Sequence, residues 1–333
     1  MPKPFAKYTA MAPSNIGGIS GLVTSGLKGL DDIEPEEMAE LEYGVDGSVM
    51  NGLLGFEFTI YNQTITGLLL EVEEAPSTGY TTKWANAGDM ETNGMELDLI
   101  LNPIRTKSMN WVSRLSYYTT ESEITALNVD PFNTGGFATF LGAYRIEKGW
   151  SPHTMVGSEM TDGVHDVLGN ETPDYIMGLN NRLQFGSFSV VAHIDIKEGG
   201  DIINLQKLIS DLGGTTFDFA DETLDLNDDG TKSGNGNERL TVLGGVTAPY
   251  IEDGSYVRLS EVSLNYDVPK SMLGGMVSSM QLGISARDWW ISTDYSGWNP
   301  DVSQFGNVAV GGSVDTGPYP MSKALYFNVS VGL

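Results

Sequence analysis

The 333-residue sequence contains no cysteine. Disulfide bonds, thiolate zinc ligands and cysteine nucleophiles are therefore excluded from its chemistry. Basic residues are also scarce, because 18 Lys and Arg stand against 44 Asp and Glu, which gives a formal net charge of −26. Such an acidic chain repels phosphate backbones, so we expect no nucleic acid as a partner.

The sequence also lacks any long hydrophobic run. No stretch approaches the 18 unbroken apolar residues or so that a transmembrane helix needs. The first residues, MPKPFAKYTAMAPSNIGG, show neither the basic region nor the apolar region of a secretory signal peptide, and we expect none there. A transmembrane β-barrel stays compatible with these absences, because each of its strands carries only about ten alternating residues.

Catalytic motifs are missing as well. The three histidines, His153, His165 and His193, are too far apart in sequence to suggest a metal site on a helix. We find no G-x-S-x-G elbow, no phosphate-binding loop and no H-E-x-x-H motif. The sequence therefore predicts no enzyme and no catalytic residues, although its many carboxylates leave a hydrolase with an acid and base pair as an alternative.

Several segments alternate apolar and polar residues with the period of two that is typical of a half-buried strand. The last segment is the clearest, with apolar side chains at Leu325, Phe327, Val329, Val331 and Leu333. Others form predicted hairpins, of which the first turns at Asn51 and Gly52 and the third at Gly186 and Ser187. A shift of the apolar phase between Leu259 and Val262 predicts a β-bulge.

The predicted connections alternate between short and long. Links within hairpins are short, whereas links between hairpins run to roughly 30 to 55 residues, far above the usual loop of about 4 to 6. An outer-membrane barrel has this layout, with short periplasmic turns and long extracellular loops. Alternation alone is also compatible with a soluble β-sandwich, such as a secreted carbohydrate-binding protein, and this alternative stays open.

Seven stretches resemble the C-terminal part of the SusC/RagA-type TonB-linked outer-membrane transporters of Bacteroidota, in the order of that family. They are IEPEEMAELEYG (33–44), APSTGYTTKWANAGDMETNGMELDL (75–99), LGNETPDYIMGLNN (168–181), KEGGDIIN (197–204), DGSYVRLSEVSLNYDVPKSM (253–272), YSGWNPDVS (295–303) and GPYPMSKALYFNVSVGL (317–333).

The resemblance implies an all-β fold, an antiparallel transmembrane β-barrel segment of about nine or ten strands from a larger barrel of about 22. Residues 1–35 would form a poorly defined N-terminal segment and residues 36–333 the barrel strands and loops, without a plug domain or signal peptide. The implied function is import of oligosaccharides or peptides across the outer membrane. The implied partners are a SusD-like surface lipoprotein, outer-membrane lipid and, through the missing plug, the TonB–ExbB–ExbD complex.

Five aromatic residues in the predicted connections are candidate ligand contacts: Tyr80, Trp84, Trp150, Tyr295 and Trp298. Flat aromatic faces stack on sugar rings, and neighbouring Asp or Asn side chains can bond hydroxyl groups. Tyr and Trp also fill the cores of loops and the interfacial girdles of barrels, so a structural role is the alternative for each.

No cofactor is predicted apart from a candidate calcium loop in the segment DLNDDGTKSGNGNE. Asp225, Asn227 and Asp229 occupy positions 1, 3 and 5 of such a loop, and Gly230 occupies position 6, where a sharp turn is needed. Position 12 holds Gly236 in place of the usual bidentate glutamate. A solvated acidic loop is therefore the alternative.

Overall fold

The computed structural model describes residues 11–24, 26–302 and 310–333. Within these residues the strands, in chain order, are β1 Met11–Ile16, β2 Ile19–Thr24, β3 Leu27–Lys28, β4 Glu37–Val49, β5 Leu54–Glu73, β6 Thr82–Arg105, β7 Met109–Leu127, β8 Phe132–Thr134, β9 Ala143–Ile146, β10 Thr154–Thr161, β11 Val164–Asn170, β12 Pro173–Phe185, β13 Phe188–Gly199, β14 Ile202–Asn204, β15 Ile251–Glu252, β16 Tyr256–Asp267, β17 Ser279–Ser292, β18 Val314–Asp315 and β19 Ala324–Gly332. The α-helices of the same residues are α1 Leu205–Leu212 and α2 Asn235–Thr241. No helix of the described chain is long and apolar enough to cross a membrane.

One large sheet organises the described part of the chain. Its strands lie in the order β19-β17-β16-β13-β12-β7-β6-β5-β4, and the short β3 pairs with β6 to make ten strands. Every neighbouring pair along the main order is antiparallel. The predicted antiparallel barrel segment of about nine or ten strands is confirmed.

The predicted hairpins form, with one difference in a turn. β12 and β13 are joined by Gly186 and Ser187 alone, as expected. The first turn is longer than the predicted two residues, because the last ladder pair is Val49 with Leu54. Met50 and Asn51 both have a positive φ, near 53° and 55°, so the left-handed backbone starts one residue earlier than the sequence indicated.

The predicted bulge in β16 is also confirmed. His193 of β13 lies opposite Glu261 and the next residue, Ile194, lies opposite Leu259. Ser260 is therefore the extra residue, and its hydroxyl group donates to the Asp195 carboxylate. The bulge restores the apolar residues on both sides of it to one face of the sheet.

The connection between β5 and β6 differs most from the sequence expectation. A long connection was predicted, but only residues 74–81 separate these two strands, since β5 runs to Glu73 and β6 begins at Thr82. Their ladder continues through polar pairs such as Asn62 with Asn93. Backbone pairing needs no apolar side chain, so the strands extend beyond the point where the period-two pattern ends. The other connections between hairpins, residues 128–172, 200–255 and 293–323, are long as predicted.

The two faces of the sheet differ in polarity wherever its strands keep the period-two alternation. One face carries an apolar row that crosses seven strands at the same height: Val45, Phe58, Leu97, Tyr117, Met177, Ile196 and Val257. The opposite face carries Asp46, Glu57, Asp98, Ser116, Gly178, Asp195 and Arg258. Many large side chains of the apolar face are exposed, among them Val45, Leu101, Val190, Leu264 and Phe327. A soluble sandwich would bury them against a second sheet, whereas a bilayer covers them in a barrel.

The main cluster of buried apolar side chains lies in the connections. Its members are Tyr144, Met155, Ile203, Leu205, Leu208, Tyr250 and Val314. They come from three different connections between hairpins. The long loops thus pack together into a layer at one end of the sheet, which we call the loop layer (residues 128–172, 200–255, 293–302 and 310–323).

Candidate functional site

Backbone pairing joins two of the long connections in the loop layer. β14, which follows β13, pairs antiparallel with β15 and parallel with β18, which belongs to the connection between β17 and β19. Ile202 and Ile203 of β14 are completely buried. The pairing therefore holds segments that lie about a hundred residues apart in a fixed arrangement.

Glu252 of β15 reinforces this junction. Its carboxylate accepts hydrogen bonds from Lys207 Nζ at 2.9 Å, from Asn204 Nδ2 at 3.2 Å and from both the backbone N–H and the hydroxyl group of Ser296 at 2.8 Å. Asn204 also caps α1, because its side chain accepts from Lys207 N. One carboxylate thus connects α1, β15 and the connection between β17 and β19.

A buried ion cluster links α1 to α2. Arg239 is 1% exposed, and its guanidinium group donates to both oxygens of Asp211 at 2.7 Å and to both oxygens of Asp218 at 2.9 Å. Tyr250 adds a hydrogen bond to Asp211 at 3.2 Å. Hydrogen bonds from Arg239 hold the pKa of Asp218 below its ordinary value. The charged groups of this cluster thus satisfy one another in the buried layer.

Glu171 ties the connection between β7 and β12 to that between β17 and β19. One of its oxygens accepts from Ser313 N at 2.7 Å, and the other lies 3.3 Å from both His153 Nδ1 and Gly311 N. Burial raises the pKa of Glu171, but His153 and the two backbone N–H groups outweigh burial and bring the pKa below its ordinary value. All three long connections therefore act as one packed unit.

Two of the five predicted aromatic residues lie in the connection between β17 and β19. Tyr295 is buried, and its hydroxyl group donates to the Asp315 carboxylate at 2.6 Å. Burial and Asp315 together raise the pKa of Tyr295 well above its ordinary value. Trp298 is 66% exposed and lines two adjacent clefts of about 220 and 150 Å³. Of these two side chains, only Trp298 offers an open aromatic face.

The other three aromatic residues lie elsewhere. Tyr80 is half-buried in the turn between β5 and β6. Trp84 is on β6 itself, opposite Glu71, because that strand begins earlier than the sequence indicated. Trp150 follows β9 and lines a cavity of about 510 Å³. The clefts lined by Trp150 and Trp298 share no residue, so the structure does not unite the five residues in one pocket.

The predicted calcium loop forms a compact turn. Asp225 accepts from the backbone N–H groups of Asp229 at 3.2 Å and Gly230 at 3.0 Å, and Asn227 donates to Asp229 at 3.1 Å. The three predicted ligands therefore do come together. Gly236 lies inside α2, and the described residues contain no group of three or more His, Asp or Glu arranged to hold a metal ion. Calcium binding stays a prediction.

Sequence reasoning missed the residues that organise the loop layer. Glu252 and Ser296 are 44 residues apart, Arg239 and Asp211 are 28 apart, and Glu171 and Ser313 are 142 apart. No local pattern marks such pairs. The one available signal was the presence of Arg239 within a strongly acidic segment, where an isolated cation is often paired.

Comparison with known proteins gives a consistent result. The family model described as TonB dependent receptor-like, beta-barrel matches residues 5–287. Two relatives from Formosa agariphila, TonB-dependent receptors P26 and P3, are each 24% identical over 343 residues. The matches cover 89% and 87% of this chain but only 34% and 33% of those proteins. The chain thus spans about a third of their length.

Solved structures share the fold. The RagAB peptide transporter superposes with a TM-score of 0.73 at 19% identity, covering 96% of this chain and 38% of that chain. The RagAB peptide importer in the open-open state gives a TM-score of 0.70 at 18% identity, covering 98% of this chain and 38% of the other. At such low identity the likeness concerns the fold.

Proposed function

This chain belongs to the family of TonB-dependent receptor-like β-barrels of the bacterial outer membrane, and from that premise we propose that it is the C-terminal part of an energy-coupled importer. Residues 36–333 would supply barrel strands and extracellular loops, preceded by the segment 1–35. The edge strands β4 and β19 would pair with the remaining strands of a barrel of about 22. A plug elsewhere in the protein would contact the TonB–ExbB–ExbD complex.

The observation that carries this proposal is the two-faced sheet with its loop layer. An exposed apolar face suits contact with lipid, and the opposite charged face suits a water-filled or plugged lumen. The loop layer has a packed core of its own, which suits a rigid extracellular platform. A soluble carbohydrate-binding sandwich does not account for the exposed apolar face.

We propose oligosaccharides or peptides as the cargo and a SusD-like surface lipoprotein as the partner. The RagAB structures support the peptide alternative, since they are named a peptide importer. Trp298 supports the oligosaccharide alternative, because its exposed ring lies beside Asn299 and Asp301 in one cleft. No catalytic role is proposed for the chain.

A genetic experiment tests import. Deleting the segment that encodes residues 36–333 from the complete gene should abolish growth on one cargo class as sole nutrient, and disrupting TonB should cause the same loss. Restoring the gene should restore growth. Unchanged growth on every oligosaccharide and peptide supplied, or uptake that persists without TonB, would contradict the proposal.

A separate measurement tests the partner. The complete protein, extracted in mild detergent with an affinity tag, should co-purify with a surface lipoprotein in a fixed ratio. Mass spectrometry would identify that lipoprotein. Purification of the receptor alone, under conditions where the barrel remains folded, would remove the lipoprotein from the proposal and leave import to be judged by growth.

A further inference from the structure

Strands β7 and β12 separate one residue beyond the apolar row that crosses the sheet at Tyr117 and Met177. Their last ladder pair is Tyr118 with Ile176. Beyond it, the Thr119 hydroxyl group donates to the Asp174 carbonyl at 2.6 Å. The next contact on this side of β7 is at Ile124, whose N–H donates to the Trp150 carbonyl at 2.9 Å and whose carbonyl accepts from Gly149 N at 2.8 Å. The edge of β7 is open between these two points.

The open edge directs backbone groups into the gap. In an antiparallel ladder, alternate residues point both their N–H and their C=O toward the same neighbour. Ile124 points toward the gap, so Thr120 and Ser122, which are in the same phase, do so too. Among the described residues, no strand or loop pairs with the N–H and C=O groups of Thr120 and Ser122. Such a row of free donors and acceptors can template another strand.

A cavity occupies the gap. Its volume is about 510 Å³, which lies within the range of ligand sites, about 300 to 1,000 Å³. The acidic residues Glu121, Glu123 and Asp174 line it, together with Trp150 and several Ser and Thr residues. No Lys or Arg is among the lining residues. The cavity is therefore polar and negatively charged.

We propose that this gap binds a soluble oligopeptide in an extended conformation, as an additional antiparallel strand on β7, with basic side chains toward Glu121 and Glu123. Strand addition takes its affinity from main-chain hydrogen bonds and its specificity from alternate side chains. Glu121 and Glu123 are two positions apart and lie on one face, so they match basic residues at alternate positions of the peptide. The inference rests on the proposed function in one respect. The gap must lie on the outside of the cell, where free peptides can reach it.

The register makes a sharp distinction between two sets of peptide N–H groups. Residues opposite Thr120 and Ser122 form the hydrogen-bonded pairs, whereas residues opposite Glu121 and Glu123 point their backbone groups away from β7. In the probe acetyl-Val-Lys-Val-Lys-Val-amide, the second and third valines are therefore the pairing residues, because the first lies opposite Ile124, whose backbone groups are already bonded. Methylating the nitrogen of either pairing valine removes a hydrogen bond to β7, and methylating a lysine nitrogen removes none.

Isothermal titration of the complete, detergent-solubilised protein with this probe tests the site. We expect N-methylation of the two valines that pair with β7 to weaken binding by about tenfold or more, as the loss of two net hydrogen bonds implies. N-methylation of the lysines should leave binding within about threefold. Replacing both lysines by glutamate should abolish it. Equal binding of the two N-methylated peptides, or no heat from the parent peptide at millimolar concentration, would overturn the proposal.

Variants of the protein give an independent check. E121Q together with E123Q should weaken binding of the lysine probe, whereas D162N, at the tip of the β10–β11 hairpin and outside the cavity, should not. S122P removes one free N–H and keeps the backbone ladder to β6. It should weaken binding more than S122A, which removes only the hydroxyl bond of Ser122 to Thr92 that both variants lose. If the gene supports growth on its cargo but the complete protein does not bind the probe, the peptide site is overturned and import stands. If the complete protein binds the probe but deletion of its gene leaves growth unchanged, import is overturned and the site stands.

Discussion

The buried ion cluster around Arg239 offers the clearest test of how the loop layer is held together. Replacing Arg239 by Met removes four hydrogen bonds of 2.7 to 2.9 Å and leaves two carboxylates facing each other. The Asp211 side chain is completely buried, whereas that of Asp218 is 17% exposed. Water therefore cannot replace the guanidinium group at Asp211. Breaking a buried pair from one side costs about 3 to 5 kcal/mol of stability.

This loss should be local to the loop layer. Hydrogen exchange of the complete protein, followed by mass spectrometry, reports α1 and α2 separately from the sheet. A loss of about 3 to 5 kcal/mol corresponds to faster exchange by about two to three and a half orders of magnitude in the helices. Exchange in β5, β6 and β7 should not change, because the hydrogen bonds of the cluster join residues outside these strands.

A matched control uses Lys232, which lies in the same connection but is exposed. K232M changes the net charge by the same amount and should alter exchange in the helices by less than about threefold, as expected for an exposed charge. Adding D211N and D218N to R239M should recover most of the lost protection, because the uncompensated charges are then gone. If R239M exchanges like K232M, the cluster does not hold α1 to α2 and the reasoning is refuted.

Three further predictions address the membrane face, the pH dependence and calcium. Val262→Arg, at the centre of the apolar face, should lower the stability of the folded barrel by about 2 to 4 kcal/mol, as measured by urea titration in lipid vesicles. Asn265→Arg, on the opposite face of the same strand, should cost under about 1 kcal/mol. Equal losses would contradict the assignment of faces. Because hydrogen bonds from Arg239 lower the folded-state pKa of Asp218, its contribution to stability is complete above its unfolded pKa of about 3.9 and is lost as the pH falls through the lower folded pKa. Protection factors of the helix amides, which correct for the intrinsic pH dependence of exchange, should therefore fall below about pH 4 in the wild type and fall less in R239M. Calorimetry at millimolar calcium should show heat that the Asp225→Asn variant lacks, and an absence of heat in the wild type would remove the calcium hypothesis.

Much of the sheet could be predicted from the sequence because a strand exposes its pattern locally. Alternate side chains point to opposite faces, so Leu325, Phe327 and Val329 reveal both a strand and its apolar face without knowledge of any partner. The bulge at Ser260 was visible for the same reason, since one extra residue reverses the alternation. Short turns such as Gly186–Ser187 completed the hairpins.

Only the tertiary structure decided where the pattern stops being informative. In the outer part of β5 and β6 the period of two gives way to polar pairs such as Asn62 with Asn93, although backbone pairing continues to Glu73 and Thr82. The sequence therefore shows a loop where the chain forms a strand. The sequence does not reveal the gap between β7 and β12 either, because the gap depends on where two strands diverge and no local pattern marks that point.

The loop layer depends still more on long-range contacts. Tyr295 is similar in sequence context to the exposed Trp298, yet its ring is buried and its hydroxyl group is bonded to Asp315. Arg239 finds one partner, Asp211, on the other helix and the second, Asp218, in the segment between the two helices. Sequence by itself determined the alternating parts of the strands, their faces and the family, because these follow from local alternation and short motifs. Tertiary structure alone decided which loop residues are buried and which remain open to ligands, because burial is set by segments distant in the chain.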